Sequence, residues 1–300
     1  MLKKWAAFIL CVIAVFSLPS CGVPRQPEAS NTGKVRVSVT FHALKEFVLA
    51  VGGDKVDVST IIPSGTEPHD FEPKAQDLVG LGQAQVFVYN GLGMETWADS
   101  AVTAAGNKNL IVAEAAKGIT PISNKNGAGD HGQYDPHVWL SLKGAQLEAK
   151  NIAAALIQAD PSNQAYYEAR CTQFIAQLEA LYTEYSAKLK TVSRKSFVTG
   201  HAAFAYLCRD FGLIQNSVGD VFAEGEPSAQ QLAALVDYCK ANRVTTIFVE
   251  EAVSPDISQT LASEVGASVQ AIDTLENSSG QETYLDRMSE NLKNIYDSLK

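Results

Sequence analysis

Ser162-Asn-Gln-Ala-Tyr-Tyr-Glu-Ala-Arg-Cys-Thr-Gln-Phe-Ile-Ala-Gln-Leu-Glu-Ala-Leu-Tyr-Thr-Glu-Tyr-Ser-Ala-Lys-Leu-Lys-Thr-Val192 is the longest periodic stretch of the chain. Its apolar residues Tyr167, Cys171, Phe174, Leu178, Leu181, Tyr185, Leu189 and Val192 are spaced by threes and fours, the signature of one helix face. No Gly or Pro interrupts the run before Ser193. A continuous helix over it would extend roughly 45 Å at about 1.5 Å per residue. That is longer than one small sheet needs. Residues 161–192 therefore read as a rigid helix joining two lobes, with no hinge residue of its own.

Strand and helix patterns alternate on both sides of this helix. In residues 34–160, strand patterns cover Val35–Val39, Val56–Ile62, Val86–Tyr89 and Leu110–Ala113. Helical patterns cover His42–Val51, Lys74–Gly82, Met94–Ala104 and Leu140–Ala159. In residues 193–300, strands are expected at Ser196–Thr199, Gln215–Val221, Thr245–Val249 and Ala267–Ile272. Helices are expected at Ala202–Phe211, Pro227–Cys239, Pro255–Val265 and Thr283–Leu299. This order predicts an α/β fold: two similar α/β lobes with parallel sheets, joined by one long rigid helix.

The chain has 300 residues, enough for two lobes of ordinary size, and 46% of them are hydrophobic. Its formal net charge is −9, which argues against nucleic acid as a partner. Lys3 and Lys4 precede an apolar run from Trp5 to Leu18 that is too short to span a membrane comfortably. The run ends in Leu18-Pro19-Ser20-Cys21-Gly22, which resembles a bacterial lipoprotein signal. Residues 1–20 are then a signal peptide, Cys21 is the lipidated first residue, and 21–33 is a flexible tether. Cys171, Cys208 and Cys239 remain. Cys208 and Cys239 could pair, but all three as small buried apolar residues is the favoured expectation. No C-x-x-C spacing supports a cysteine-based zinc site.

Four residues stand at the edge where a parallel sheet binds ligands, outside the carboxyl ends of its strands. His69 lies in Pro63-Ser-Gly-Thr-Glu-Pro-His-Asp-Phe-Glu-Pro73, a loop stiffened by proline on either side. His137 lies in Asp135-Pro-His-Val-Trp-Leu140, in the last loop of the first lobe. His201 and Asp273 follow strands of the second lobe. A single histidine is more often a capping or packed residue. Three of the five histidines on such loops, two ligands from each lobe, point instead to one first-row divalent metal in the cleft. His42 is expected to pack at a helix N-terminus, and His131 to be solvated in the polar loop from 118 to 133. Glu250 or Glu251 could orient a ligand histidine from behind. Glu224 and Glu226 read as carboxylates at a helix N-terminus.

Five ordered stretches carry a resemblance. They are the His69 loop, Asn90-Gly-Leu-Gly-Met-Glu-Thr-Trp97, Asp135-Pro-His-Val-Trp-Leu140, Thr199-Gly-His-Ala-Ala-Phe204 and Gly225-Glu-Pro-Ser228. Together they resemble the cluster A-I metal-binding lipoproteins, the zinc and manganese solute-binding proteins of ABC transporters. The resemblance runs from about Lys34 to the C-terminus. It implies metal held between two lobes by His69, His137, His201 and an acidic residue at the position of Asp273. It also implies a monomeric, extracytoplasmic binding protein, not an enzyme, that is anchored to the bacterial cell membrane by its lipid and delivers metal to an ABC permease. His201 favours Zn2+. Asp273, and a loop before His137 that holds only His131, keep Mn2+ as the alternative. Three imidazoles and a carboxylate bind zinc more tightly than manganese, so zinc is the expected cargo. A secreted zinc hydrolase, with Glu250 or Glu251 as base, and a surface adhesin are the competing functions; no H-E-x-x-H is present to support the first.

The lipoprotein reading predicts that Cys21→Ala, once processed, leaves the membrane for the soluble fraction. Fractionation of cells producing the variant checks this, and a wholly membrane-bound product would contradict it.

Overall fold

Short β-branched runs form the strands of two parallel sheets in the computed structural model, which describes residues 33–124, 132–222, 227–250, 255–278 and 280–300. The signal segment, Cys21 and nearly all of the tether lie outside the described residues. In the first lobe β1 (Val35–Val39), β2 (Val56–Thr60), β3 (Val86–Tyr89) and β4 (Ile111–Glu114) lie in the order β2-β1-β3-β4. In the second, β5 (Ser196–Thr199), β6 (Ile214–Ser217), β7 (Thr246–Val249) and β8 (Ser268–Ala271) lie in the order β6-β5-β7-β8. Every pairing is parallel, with register such as Val37↔Val86 and Val198↔Ile247. The two lobes thus repeat one strand order. In each, the chain reverses direction across the sheet between the first and third strands, which is where such sheets open a crevice.

The connecting helices of the first lobe are α1 (His42–Gly52), α2 (Ala75–Gln83), α3 (Ala98–Ala105) and α4 (Leu142–Ala159). After α5 (Gln164–Thr191) come α6 (Ala205–Phe211), α7 (Ala229–Asn242), α8 (Pro255–Val265) and α9 (Tyr284–Leu299). Their ends follow local chemistry. Ser141 caps α4 by accepting from the Gly144 amide at 2.9 Å, and its hydroxyl donates to Asp210 at the end of α6. Ser228 with Gln231 and Thr283 with Asp286 form reciprocal caps on α7 and α9.

α5 spans 28 residues, and Tyr167, Cys171, Phe174, Leu178, Tyr185, Leu189 and Val192 of its periodic stripe are buried. It packs most extensively on α4, and also on α1 and α9. The core is continuous across the molecule. It runs from β1 and β3 through α1, α4, α5 and α9 to Phe197 and Phe248 of the second sheet. α9 braces the connector, burying Tyr284, Met288, Leu292, Ile295 and Leu299. Tyr284 reaches the first lobe, edge-on to Phe47 at 4.7 Å. Residues Gly33–Lys300 accordingly form one compact unit.

Two helix starts differ from expectation. α3 begins at Ala98, not Met94, because Glu95 is used in the preceding turn: its carboxylate accepts from the amides of Asn90 at 2.9 Å and Gly91 at 3.0 Å. α6 begins at Ala205 because a tight turn after His201, closed by Ala203 N–H donating to the His201 carbonyl, occupies the first residues. The cysteines follow the favoured expectation: Cys171, Cys208 and Cys239 are buried free thiols, and burial raises all three above the usual thiol range.

Leu178 is fully buried at mid-helix, where α5 meets the shared core. Leu178→Ala should destabilise the protein by about 2–5 kcal/mol through lost transfer energy and a residual cavity. Denaturant unfolding checks this, and a single shifted transition is expected because one core serves both lobes.

Candidate metal centre

The site is built from loops that leave the carboxyl ends of both sheets. After β2 the chain runs through Pro63 and Pro68, and Pro68 fixes the backbone just before His69. The His69 side chain is 2% exposed, and neither ring nitrogen has a hydrogen-bond partner. Phe222 packs edge-on to its ring at 5.1 Å. Two buried imidazole nitrogens without partners are costly unless a ligand satisfies them.

His137 is fixed from behind. Asp135 Oδ1 accepts from the His137 amide at 2.8 Å and sits 2.9 Å from Nδ1. With Nδ1 donating to Asp135, Nε2 keeps its lone pair and faces the cluster. The backbone of this loop is held as well: Asn90 Nδ2 donates to the Pro136 carbonyl at 2.8 Å, and Tyr206 donates to the Asp135 carbonyl at 2.8 Å. Asn90 is in turn set by Glu95, which also accepts from Thr40 Oγ1 at 2.6 Å. The turn that follows has three successive positive φ values, at Gly91, Leu92 and Gly93. A Cβ on Gly93 would meet the Gly132 backbone at 3.0 Å, so glycine lets this turn sit against the segment leading to His137.

His201 follows β5 directly. Its amide donates to Glu250 Oε1 at 3.3 Å, and the same oxygen lies 3.6 Å from His201 Nδ1. Glu250 therefore takes the orienting role expected of it, while Glu251, Glu224, Glu226 and His131 lie outside the described residues. His201 Nε2 is 3.4 Å from His137 Nε2.

The fourth position needs correction. Asp273 does not reach the cluster, because its carboxylate is taken by the Arg287 guanidinium, with Nε to Oδ2 and Nη2 to Oδ1 both at 2.5 Å. Arg287 projects from the buried face of α9, and a buried guanidinium requires such a partner. Asp273 Oδ1 also accepts from the Leu275 amide at 2.7 Å. Leu275 then adopts a left-handed φ of 58°, and the chain turns so that Glu276 enters the site instead. Glu276 Oε1 lies 3.9 Å from His137 Nε2 and has no hydrogen-bond partner, while Oε2 accepts from Thr274 Oγ1 at 2.8 Å. His42, at the start of α1, donates its amide to the Glu276 carbonyl. His69, His137, His201 and Glu276 thus each offer one donor atom, all within 4.8 Å of one another.

The electrostatics treat the rings differently: two imidazoles are held neutral, and the third is held charged by the carboxylates around it. Burial, then the neighbouring histidines, hold His69 and His137 well below the usual imidazole range. Burial also works to lower His201, but the carboxylates of Glu250, Glu276 and Glu67 outweigh it and hold this ring up at about 9. Burial and then Glu67 push Glu276 up to about 8. Burial raises Asp135 to about 7 against its bond from the His137 amide. Three nitrogens and one carboxylate oxygen at this spacing are the donor set of a four-coordinate zinc site.

The profile of the family described as zinc-uptake complex component A, periplasmic, matches residues 37–298. The chain belongs to this ZnuA family. It is 38% identical over 315 aligned residues to the high-affinity zinc uptake system protein ZnuA of Bacillus subtilis (strain 168), covering all of this chain and 99% of that relative. A zinc-bound deletion mutant of ZnuA superimposes with a TM-score of 0.79 at 33% identity, covering 89% of this chain and 98% of that one. The laminin-binding protein of Streptococcus agalactiae, a bifunctional protein with adhesin and metal transporting activity, gives a TM-score of 0.82 at 36% identity, covering 89% of this chain and 100% of that one. The two-lobed fold with its long helix is therefore that of the ZnuA family.

Glu276→Gln should lower zinc affinity by at least about 10–100-fold, the range already seen when only supporting groups are lost. Asp273→Asn should cost less affinity but more stability, about 3 kcal/mol. That is the low end for a broken buried pair, since Asp273 stays partly exposed. Chelator-competition titrations and melts of both variants separate the two roles.

Proposed function

We propose that this chain is an extracytoplasmic lipoprotein that captures zinc and delivers it to the permease of an ABC transporter. The observation that carries this reading is the buried set of four donors from His69, His137, His201 and Glu276, drawn from both lobes. Zinc is the cargo. Imidazole donors and a small tetrahedral set favour it over manganese, which prefers oxygen-rich, six-coordinate sites. Cys21 anchors the protein in the membrane and residues 22–33 give it reach, with the protein acting as a monomer. Among the described residues no helix is long and apolar enough to cross a membrane.

Glu276 fills the position that a catalytic zinc would leave open to water, which argues against a hydrolase. The structural similarity to a bifunctional adhesin supports binding to host matrix as a second activity on the same fold. Metal capture remains the primary reading because the donors form a finished site.

One equivalent of zinc should bind and outcompete manganese, in calorimetry on protein first stripped of metal. At zinc concentrations 100 times the dissociation constant, stability should rise by about 2.7 kcal/mol, and the rise should vanish in His137→Ala. Coordination requires a neutral imidazole and an ionised carboxylate. His201, held at about 9, carries a proton at pH 7, and Glu276 is held up too. Zinc should therefore displace protons at pH 7, apparent affinity should rise with pH, and the release should fade above about pH 9. Calorimetry in buffers of different ionisation enthalpy reads this; absence of any buffer dependence would contradict it.

A further inference from the structure

All four donors of the cluster are buried, yet a cargo ion must reach them and leave. Among the described residues, four carboxylates approach the ligand histidines. Asp135 and Glu276 face His137, Glu250 faces His201, and Glu67 faces His69. The side chains of the first three are at most 2% exposed. Glu67 is different: its side chain is 28% exposed, and its Oε1 lies 4.0 Å from His69 Nε2. The same oxygen accepts from the His69 amide at 3.3 Å, so the carboxylate is held beside the ring rather than free to swing away. Pro68 between the two residues restricts the backbone that joins them. Glu67 thus reaches solvent on one side and on the other lies 4.0 Å from a ligand nitrogen that has no hydrogen-bond partner.

We propose that Glu67 is a transfer ligand, binding the hydrated divalent cation at the mouth of the site and passing it to His69 on the way in and back to water on the way out. The proposal rests on the reading of the four-donor cluster as the zinc site. The step is a ligand exchange with no redox change. One water leaves the cation as a Glu67 oxygen binds, a second leaves as the His69 nitrogen binds, and the bond to Glu67 breaks and the remaining waters return to solvent as His137, His201 and Glu276 close. Glu67 lies outside the final set of four donors. A group that binds only the intermediate lowers the barrier in both directions and leaves the end states alone. It therefore acts chiefly on the two rates together and much less on affinity.

The test measures zinc uptake by stopped flow with a fluorescent zinc indicator, zinc release into excess chelator, and equilibrium affinity by competition. The proteins are the wild type, Glu67→Gln, Glu67→Asp and His69→Ala, each checked for folding by its melt. Glu67→Gln should slow uptake and release alike by about tenfold or more, the scale at which a well-placed charge alters on-rates, with affinity nearly unchanged. Glu67→Asp, which keeps the carboxylate, should recover part of both rates. The difference should persist in 0.5 M salt, where exposed charges are screened within a few ångströms. Faster release with unchanged uptake would make Glu67 a support of the bound state and overturn the proposal. Equal rates in wild type and Glu67→Gln, or a difference that disappears in high salt, would overturn it as well. Full zinc affinity in His69→Ala would instead sink the four-donor site itself, and is read separately from the Glu67 rates.

Discussion

Trp139 pins together the two halves of the site. Its indole Nε1 donates to the Thr274 carbonyl at 2.7 Å, and its own carbonyl accepts from Tyr284 at 2.6 Å. The ring is fully buried, 4.6 Å from Phe41 and 5.1 Å from His137. One residue thereby joins the His137 loop of the first lobe to the chain on either side of Glu276. Three further bonds tie the same segment to the first lobe: the His42 amide donates to the Glu276 carbonyl at 3.2 Å, the Gly65 amide to Asn277 Oδ1 at 2.6 Å, and the Ser278 amide to Ser64 Oγ at 3.2 Å. With them, the fourth donor is held against the first lobe although it follows the last strand of the second. The long α5 and its brace α9 then need only keep the lobes in register, which their shared core does.

The same packing sets the energetics of the site. Three imidazoles and a carboxylate are taken out of water, and several of their polar atoms are left without partners. That arrangement is destabilising for the protein without metal. It persists because three of the four groups are supported from behind: Asp135 for His137, Glu250 for His201, Thr274 for Glu276. Preorganisation of this kind shifts cost from the binding step to the folding step, where the large core of α1, α4, α5 and α9 supplies the offset.

Most of this architecture was legible in the sequence because it rests on local periodicity. The α5 stripe, the eight strand patterns and the positions of His69, His137 and His201 past strand ends all follow from residue spacing. Asp273 was the natural fourth ligand by the same rule, since it comes first after β8. What displaced it is not local. Arg287 stands fourteen residues later on a helix whose buried face could be seen in the sequence, but whose docking site could not. A buried arginine in the stripe with Tyr284, Met288 and Asn291 was the available sign that a nearby carboxylate would be consumed. Asp135 was equally visible, two residues before a ligand histidine, but only the folded loop brings its oxygen to both the amide and the ring. The use of Glu95 to set a turn, at the expense of the first residues of α3, likewise depends on Thr40 arriving from β1.

The repeated strand order gives the two lobes the same crevice, but they use it differently. In the first lobe, Thr40 after β1 and Glu95 after β3 meet across that crevice and make a purely structural bond. In the second, the corresponding pair is His201 after β5 and Glu250 after β7, and the bond orients a metal donor. One lobe spends its switch point on rigidity and the other on coordination. The first lobe places its donors farther out, on the long loops after β2 and β4, which explains why these loops carry the prolines and glycines that restrict or permit their path. Since the donors are fixed from behind in both lobes, and the lobes share one core, little of the closing motion can come from a hinge. Exchange of an ion then falls to side chains at the mouth, and among the described residues Glu67, partly exposed beside His69, is one of them.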